Sequence, residues 1–312
     1  MARIGVGIAG GTGYGAHELL RLLYAHPDVD VVTISSRSEA GNKISDYHLD
    51  LTHLYDLSFE KELNLSALSS YNTQIVFTAL PHGASVEYIQ DLLVKAPEVR
   101  VIDLSGDLRL KNESVHQTHY PDTPFVASLR EQFTYGISEL NQAAIKNARH
   151  ISNPGCYPTA SSLALAPIAR NGFVDGPVVV NAASGTSGAG RTPGPALHHP
   201  QRHASVAAYK ALSHRHEPEI HQALGDPACK ALDTFFTPHL LPVSRGIYIS
   251  AYLNITANMN AGELQKLYRD YYESAPFVRI LDAPPELSNV VGSNFCDIHV
   301  TSRNTQAVSY TH

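Results

Sequence analysis

The stretch Ile4-Gly5-Val6-Gly7-Ile8-Ala9-Gly10-Gly11-Thr12-Gly13-Tyr14-Gly15-Ala16 decides the fold. Ile4–Ala9 is an apolar run of strand length, and glycines take over where it ends. Residues 16–24 follow, with Leu19, Leu20, Leu22 and Leu23 supplying the broad apolar face of a packed helix. A strand that turns sharply through glycines into a helix gathers backbone N–H groups and the positive end of the helix dipole at one point, where a pyrophosphate binds. The spacing Gly10-x-x-Gly13-x-x-Ala16 is a variant of the dinucleotide fingerprint, and it makes Gly10, Thr12, Gly13 and Tyr14 candidate cofactor contacts. The opening run is too short for the apolar core of a signal peptide and no cleavage site follows, which leaves the strand reading.

Working outward, the spacing predicts strands at Val29–Ser35, 75–80 and 101–104, with a helix over 84–93. Strands alternating with helices predict an α/β fold, a Rossmann-type doubly wound parallel sheet over residues 1–152. The second strand ends in Ser35-Ser36-Arg37-Ser38, where an NAD enzyme carries an acid for the ribose hydroxyls. The hydroxyls of Ser36 and Ser38 with the Arg37 guanidinium suit a 2′-phosphate, so NADP(H) is the expected cofactor. Leu80 and Pro81, at the end of the third strand, are expected to line it. Beyond residue 152 the texture changes. Longer strands are predicted at 178–183, 246–256 and 295–301, and helices at 158–169, 218–224 and 261–271, which makes residues 153–312 an α+β domain.

Composition bounds the function. The chain has 312 residues, about two domains' worth, with 23 basic against 29 acidic side chains and a formal charge of -6. That balance excludes sequence-independent nucleic-acid binding, which needs a basic face. No apolar run approaches the ~18 residues of a membrane span. The three cysteines, an odd count, point to a reducing compartment such as the cytoplasm.

The chemistry-bearing segment is Ser152-Asn153-Pro154-Gly155-Cys156-Tyr157-Pro158-Thr159. Pro158 reads as the first helical position, which sets Cys156 at a helix N-terminus, where the dipole and unpaired N–H groups favour a thiolate. Cys229 and Cys296 read as small packing residues. The proton-handling partner is sought in Ser213-His214-Arg215-His216-Glu217-Pro218-Glu219-Ile220. Glu217 precedes a proline, so the segment is expected to be extended, with His214 and His216 on one side. Two imidazoles and a thiol would also suit zinc, but no further ligand cluster has metal-like spacing, and no metal is expected. Ser184-Gly185-Thr186-Ser187-Gly188-Ala189-Gly190-Arg191 follows a strand and reads as a cradle of backbone donors for a phosphate, with Ser187 and Gly188 toward the cofactor. Arg109, Arg191 and Arg245 are candidates to grip a substrate carboxylate, with Asn153 and Ser184 beside them.

These motifs together resemble the N-acetyl-gamma-glutamyl-phosphate reductase family. The carriers are Asn153-Pro154-Gly155-Cys156-Tyr157-Pro158-Thr159, Ser187-Gly188-Ala189-Gly190-Arg191 and His214-Arg215-His216-Glu217-Pro218-Glu219-Ile220, supported by Asp103-Leu104-Ser105-Gly106-Asp107-Leu108-Arg109 and Leu80-Pro81-His82-Gly83. The resemblance implies a Cys156 nucleophile, an acid/base in the His214/His216 pair, NADP on the first domain, a catalytic and oligomerisation role for the second, and a homodimer or homotetramer. It implies the reduction of N-acetyl-gamma-glutamyl phosphate to the semialdehyde in arginine biosynthesis. Two alternatives stand beside it: a reductase of aspartyl or carrier-bound aminoadipyl phosphate, and a truncated, non-catalytic nucleotide-binding protein. Two departures accompany the likeness. Residues 196–208 lack the acids that members often carry and hold His198, His199 and His203 instead. The sequence stops at Tyr310-Thr311-His312, so the family's terminal helix, which returns to the cofactor domain, is expected to be absent, leaving apolar surface bare near residues 16–24 and 84–93.

Overall fold

The computed structural model describes residues 3–225 and 232–311; Cys229 lies outside them. The chain divides into two compact units, Met1–Gly136 with Asn141–Pro154, and Ile137–Leu140 with Gly155–His312.

The first unit is built on a six-stranded sheet in the order β2-β1-β3-β4-β6-β5. Its strands are β1 (Ile4–Ala9), β2 (Val29–Ser35), β3 (Thr73–Thr78), β4 (Arg100–Asp103), β5 (Phe133–Tyr135) and β6 (His150–Ser152), and every pairing is parallel. A parallel sheet is covered on both faces, which is why β1 is apolar throughout rather than alternating. Val6 and Ile8 pack with Ala16 and Leu20 of the helix Tyr14–Tyr24. A second cluster joins Ala9 and Val76 to Val86, Ile89 and Leu92 of the helix Ser85–Lys95. The chain passes from β1 to β2 on one side and returns to β3 on the other, so the glycine turn leaves β1 at the point where strand order reverses.

The second unit carries a seven-stranded mixed sheet in the order β11-β12-β13-β10-β7-β9-β8. Here β7 is Val174–Ser184, β8 Ala207–Ala208, β9 Thr234–Leu240, β10 Ile247–Ile255, β11 Val278–Ile280, β12 Cys296–Arg303 and β13 Gln306–Thr311. Along β10, Ile249, Ala251, Leu253 and Ile255 are buried and alternate with more exposed residues, so the sheet buries one face. The helix Cys156–Ala169 is apolar almost all round and lies in the core, in contact with β10, β7 and β13. Pro167 sits inside it and has no N–H for the carbonyl of Leu163, four residues back. The Tyr272 hydroxyl donates to that carbonyl at 2.6 Å, and the Tyr268 hydroxyl donates to Ala164 O at 2.5 Å. Tyr272, the C-cap of the neighbouring helix Ala261–Tyr271, which an Asn260–Glu263 capping box closes at its start, thereby replaces the missing bond.

Two local expectations are corrected. The helix after Pro154 begins at Cys156, with Gly155 as its N-cap, so Pro158 is its third residue rather than its first. The His214–His216 segment is a turn and not extended: His216 is in the right-handed helical region (φ -83°, ψ -16°) and caps the helix Glu217–Leu224. Pro218 imposes extended geometry on Glu217 less strongly than helix initiation bends it, since proline is at home in a first helical turn.

Candidate active site

At the cofactor end, Gly10 has φ +89° and its missing Cβ would fall 2.5 Å from Ala79 O, so only glycine fits. Gly11 packs its Cα against Ile34 and Phe59, where a Cβ would meet carbons at 2.6 and 2.7 Å. The N–H groups of Gly10 and Gly11 both donate to Ser35 O, at 3.1 and 2.8 Å, which ties the turn to the end of β2. Gly13 is the N-cap of the helix Tyr14–Tyr24, with no side-chain cap, and a Cβ there would meet nothing within 4 Å. A helix start with uncapped N–H groups, opening on clear space above two glycines locked by packing, fits a dinucleotide pyrophosphate. Thr12 is half-buried and Tyr14 exposed at the same turn. Leu80 adjoins it, its Cδ2 3.2 Å from where a Gly10 Cβ would stand, with Pro81 exposed next in the chain. After β2, Ser36 is buried, Arg37 and Ser38 are exposed, and the Ser36 and Ser38 hydroxyls lie 3.3 Å apart.

Beside this turn the Asp103–Arg109 motif is a structural clamp. Asp103 accepts from the hydroxyls of Thr78 and Ser105 at 2.6 and 2.7 Å. Asp107 accepts from the backbone N–H of Gly83 and Ser85, and His82 Nδ1 accepts from Gly106 N at 2.8 Å. Burial raises the Asp107 carboxyl above its ordinary value. Arg109 is buried too; its Nε donates to Asn153 O and its Nη2 to Leu104 O, both at 2.8 Å. Its bidentate edge is spent on backbone carbonyls, so Arg109 pins the chain three residues before Cys156 instead of standing open to a carboxylate. Asn153 itself donates its backbone N–H to Asp103 O.

In the second unit the nucleophile candidate is set out in relief. Cys156 is exposed, whereas Gly155, Tyr157 and Pro158 beside it are buried. It occupies the first turn of the helix Cys156–Ala169, where backbone N–H groups have no intrahelical acceptor and the dipole is positive. His216 packs directly beneath: a Cβ on Gly155 would fall 2.6 Å from His216 Nε2. Glu219, fully buried, reaches both groups. Its Oε2 accepts from Gly155 N at 3.0 Å and its Oε1 lies 3.9 Å from His216 Nε2. His214 stands behind, ring centroids 4.7 Å from His216, and its Nδ1 accepts from His216 N at 3.1 Å. Its proton therefore sits on Nε2. Burial, with Arg215 and Lys210 nearby, pushes its imidazole down to about 4, so it is neutral near pH 7.

Tyr157 lies between the two histidines and Phe236, and its hydroxyl is 3.0 Å from that of Tyr209. Burial raises both phenols, and the Cys156 sulfur acts on each in the same direction, so both stay protonated. Ser184 ends β7 beside these hydroxyls. The loop after it differs from the expected cradle. Gly185 N donates to Gly246 O, Thr186 N to Val243 O, Ser187 N to Ser244 O and Gly188 N to Gly185 O. The first three donors dock the loop on residues 243–246, where a Cβ at Gly185 would meet Arg245 N at 2.6 Å, and the fourth closes the loop on itself. Arg245 is thereby held at the loop's base and Arg191 is exposed at its far end. Among the described residues, no group of three or more His, Cys, Asp and Glu side chains is placed to hold a metal ion, and no helix is long and apolar enough to cross a membrane. Sequence reasoning missed Glu219, Tyr157 and Tyr209. For Glu219 a signal was present, since His216 at a helix cap and an acid three residues on are neighbours in space.

Comparison with known proteins covers both units. Residues 5–148 match the family described as "Semialdehyde dehydrogenase, NAD binding domain", and residues 156–311 match "Semialdehyde dehydrogenase, dimerisation domain". An N-acetyl-gamma-glutamyl-phosphate reductase of Acetivibrio thermocellus is 41% identical over 296 residues, covering 94% of this chain and 84% of that protein. The same-named protein of Brevibacillus brevis is 39% identical over 310 residues, covering 97% and 88%. Among solved structures, aspartate semialdehyde dehydrogenase II from Vibrio cholerae superposes with a TM-score of 0.69 at 15% identity, over 99% of this chain and 92% of that one. Aspartate semialdehyde dehydrogenase with NADP from Candida albicans gives 0.64 at 14%, over 100% and 94%. These structures share the fold, and the closer sequence relatives narrow it: the chain belongs to the N-acetyl-gamma-glutamyl-phosphate reductase family, within the semialdehyde dehydrogenases.

Proposed function

We propose that this chain reduces N-acetyl-gamma-glutamyl phosphate to N-acetylglutamate 5-semialdehyde, with release of phosphate, through a thioester on Cys156. The observation that carries the reading is the packing of Gly155 on His216 and Glu219: an imidazole backed by a buried carboxylate lies against the residue that precedes an exposed thiol at a helix N-terminus. The helix terminus favours the thiolate, which attacks the acyl carbonyl; the C–S bond forms as the C–O bond to phosphate breaks. The first-turn N–H groups face the oxyanion that develops. NADPH, held by the Gly10–Tyr14 turn with Arg37, Ser36 and Ser38 toward a 2′-phosphate and Leu80 and Pro81 alongside, supplies the hydride when bound. His216 then gives a proton as the aldehyde leaves the sulfur, and the carboxylate of Glu219 steadies its imidazolium. His214, neutral and occupied by the His216 backbone, positions that ring. Ser184, Arg191 and Arg245 remain the substrate-side candidates, with Ser187 and Gly188 toward the cofactor through side chain and backbone surface rather than N–H donors.

The second unit is also the candidate dimer contact. Phe235, Val179 and Tyr252 lie side by side across β9, β7 and β10 on the sheet's outer face, all exposed. A row of large apolar groups on a sheet face is a surface that a second copy covers. A thiol nucleophile works in a reducing compartment, which fits the cytoplasm.

The test is the reverse reaction. N-acetylglutamate semialdehyde with inorganic phosphate should reduce NADP, aspartate semialdehyde should not, and Cys156→Ser should abolish the signal while NADP(H) still binds. Reduction driven by aspartate semialdehyde alone would replace this substrate with its shorter relative.

A further inference from the structure

Residues 44–55, which follow β2 and its loop, take no part in the reaction above, yet they fasten the glycine turn and its helix at three points. His48 is 3% exposed, and its Nε2 donates to Gly11 O at 2.9 Å. The ring of His17, near the start of the helix Tyr14–Tyr24, stacks on that of His48, with centroids 4.8 Å apart and planes 10° from parallel. His17 Nε2 donates to the Asp50 carboxylate, 2.8 and 2.9 Å from its two oxygens. Further along the same helix, Leu20 O accepts from the Tyr55 hydroxyl at 2.7 Å.

The bond to Gly11 O falls where the backbone needs it. The preceding peptide is fixed by main chain alone, Gly11 N donating to Ser35 O. The Gly11–Thr12 peptide has no such tie. Among the described residues no backbone N–H reaches Gly11 O, and Thr12 N has no acceptor. A peptide plane next to a glycine swings with little steric resistance, so a side chain has to hold it. A trans peptide carries its C=O and its N–H on opposite edges. The carbonyl drawn to His48 therefore turns the Thr12 N–H the other way, away from the buried ring. That N–H leaves beside the uncapped helix start, where a Cβ on Gly13 would meet nothing within 4 Å. An N–H held in that direction joins the first-turn donors that meet an anion. The stacked His17 ring, itself held by Asp50, keeps the His48 plane in place.

We propose that His48 is a positioning residue for the cofactor: through Gly11 O it aims the Thr12 N–H at the pyrophosphate, and Asp50 braces it through His17. The inference rests on the dinucleotide reading of the turn and adds to it the side chains that set the turn's geometry.

The test is titration of the whole chain with NADPH, followed by the nucleotide's fluorescence, beside steady-state kinetics. His48→Phe keeps a ring against Tyr47 and Phe59 and removes the donor. It should weaken NADPH about tenfold or more, the scale of one lost contact to a charged group, and raise KM for NADPH to match. Uniform binding is what is lost, so kcat at saturating NADPH and KM for the acyl phosphate should stay within about twofold. His48→Gln, whose amide nitrogen can stand where Nε2 does, should recover most of the affinity. The Asp50 side chain is 56% exposed, so Asp50→Ala spares the core; it should weaken NADPH by about threefold with the same split. If His48→Phe does not fold, Asp50→Ala decides. A wild-type chain that gives no response to NADPH removes the cofactor reading and this inference with it. With wild type binding, the inference alone falls if either variant binds NADPH as tightly as wild type. It falls too if kcat drops as far as affinity, the mark of a damaged fold, or if His48→Gln is no better than His48→Phe.

Discussion

Gly155 is where the candidate site is tightest. Its Cα touches His216, its N–H holds Glu219, and its carbonyl begins the helix that carries Cys156. Gly155→Ala should displace the His216 imidazole, because the backbone N–H and the helix hold residue 155 in place while a side chain can rotate. We expect a fall in kcat of about 100-fold or more, the scale of losing a positioned acid/base, with little change in NADPH affinity. A near-normal kcat in a folded Gly155→Ala protein would remove His216 from the chemistry. Arg37 tests cofactor choice at the same scale. Arg37→Ala should weaken NADPH by about tenfold or more, one lost charge-assisted contact, and leave NADH nearly unchanged. Equal weakening of both would return Arg37 to the scaffold. The helix-start positions of Cys156 and of the glycine turn were legible in the sequence, because local geometry alone sets them. Arg109 was not: its guanidinium is committed to Asn153 O and Leu104 O, partners chosen by the folded chain. Glu219 reads as a helix former until the turn at 214–216 folds it under Gly155.

At the scale of elements, Val29–Ser35 and Ala261–Tyr271 follow directly from their patterns, being an apolar run before a turn and a capped amphipathic helix. β9 does not, because Pro238 interrupts its pattern; it fits there only because β8, its outer neighbour, is two residues long and leaves the edge nearly open. β5 and β6, three residues each, are too short to show any periodicity. The helix Cys156–Ala169 makes a testable case of one element completing another. Tyr272→Phe removes the donor to Leu163 O and should cost about 1–3 kcal/mol, the penalty of an unmet buried carbonyl. In a Pro167→Ala background the helix regains its own N–H, and the same Tyr272→Phe change should cost clearly less. Denaturant unfolding of the four proteins in this cycle gives the answer, and additivity of the two changes would contradict it.

For the whole molecule, buried histidines set the response to acid. His150 is buried in the first unit, its Nδ1 accepts from Val101 N at 3.1 Å, and burial, aided by Arg149 and Arg100, pushes its imidazole down to about 4. A histidine lowered on folding favours the folded state only while neutral. Its contribution is complete above the ordinary value of about 6.5 and is lost as pH falls from there toward 4. The full effect is about 3 kcal/mol. His150→Asn, whose amide oxygen can accept from Val101 N without titrating, should flatten that acid limb in urea unfolding at a series of pH values. An unchanged slope would mean that the imidazole titrates normally in the fold. His214 loses its contribution over the same range in the second unit, so stability and the candidate site weaken together in acid.

The whole account turns on a covalent bond to one sulfur, and intact-protein mass spectrometry reads that bond directly. The chain is mixed with N-acetyl-gamma-glutamyl phosphate in the absence of NADPH, and phosphate release is followed in parallel. The account predicts one N-acetylglutamyl group per chain, mapped by peptide sequencing to Cys156, with one phosphate released, and discharge of the group when NADPH is added. An enzyme that turns over normally yet carries no adduct, or carries it on another residue, would contradict it.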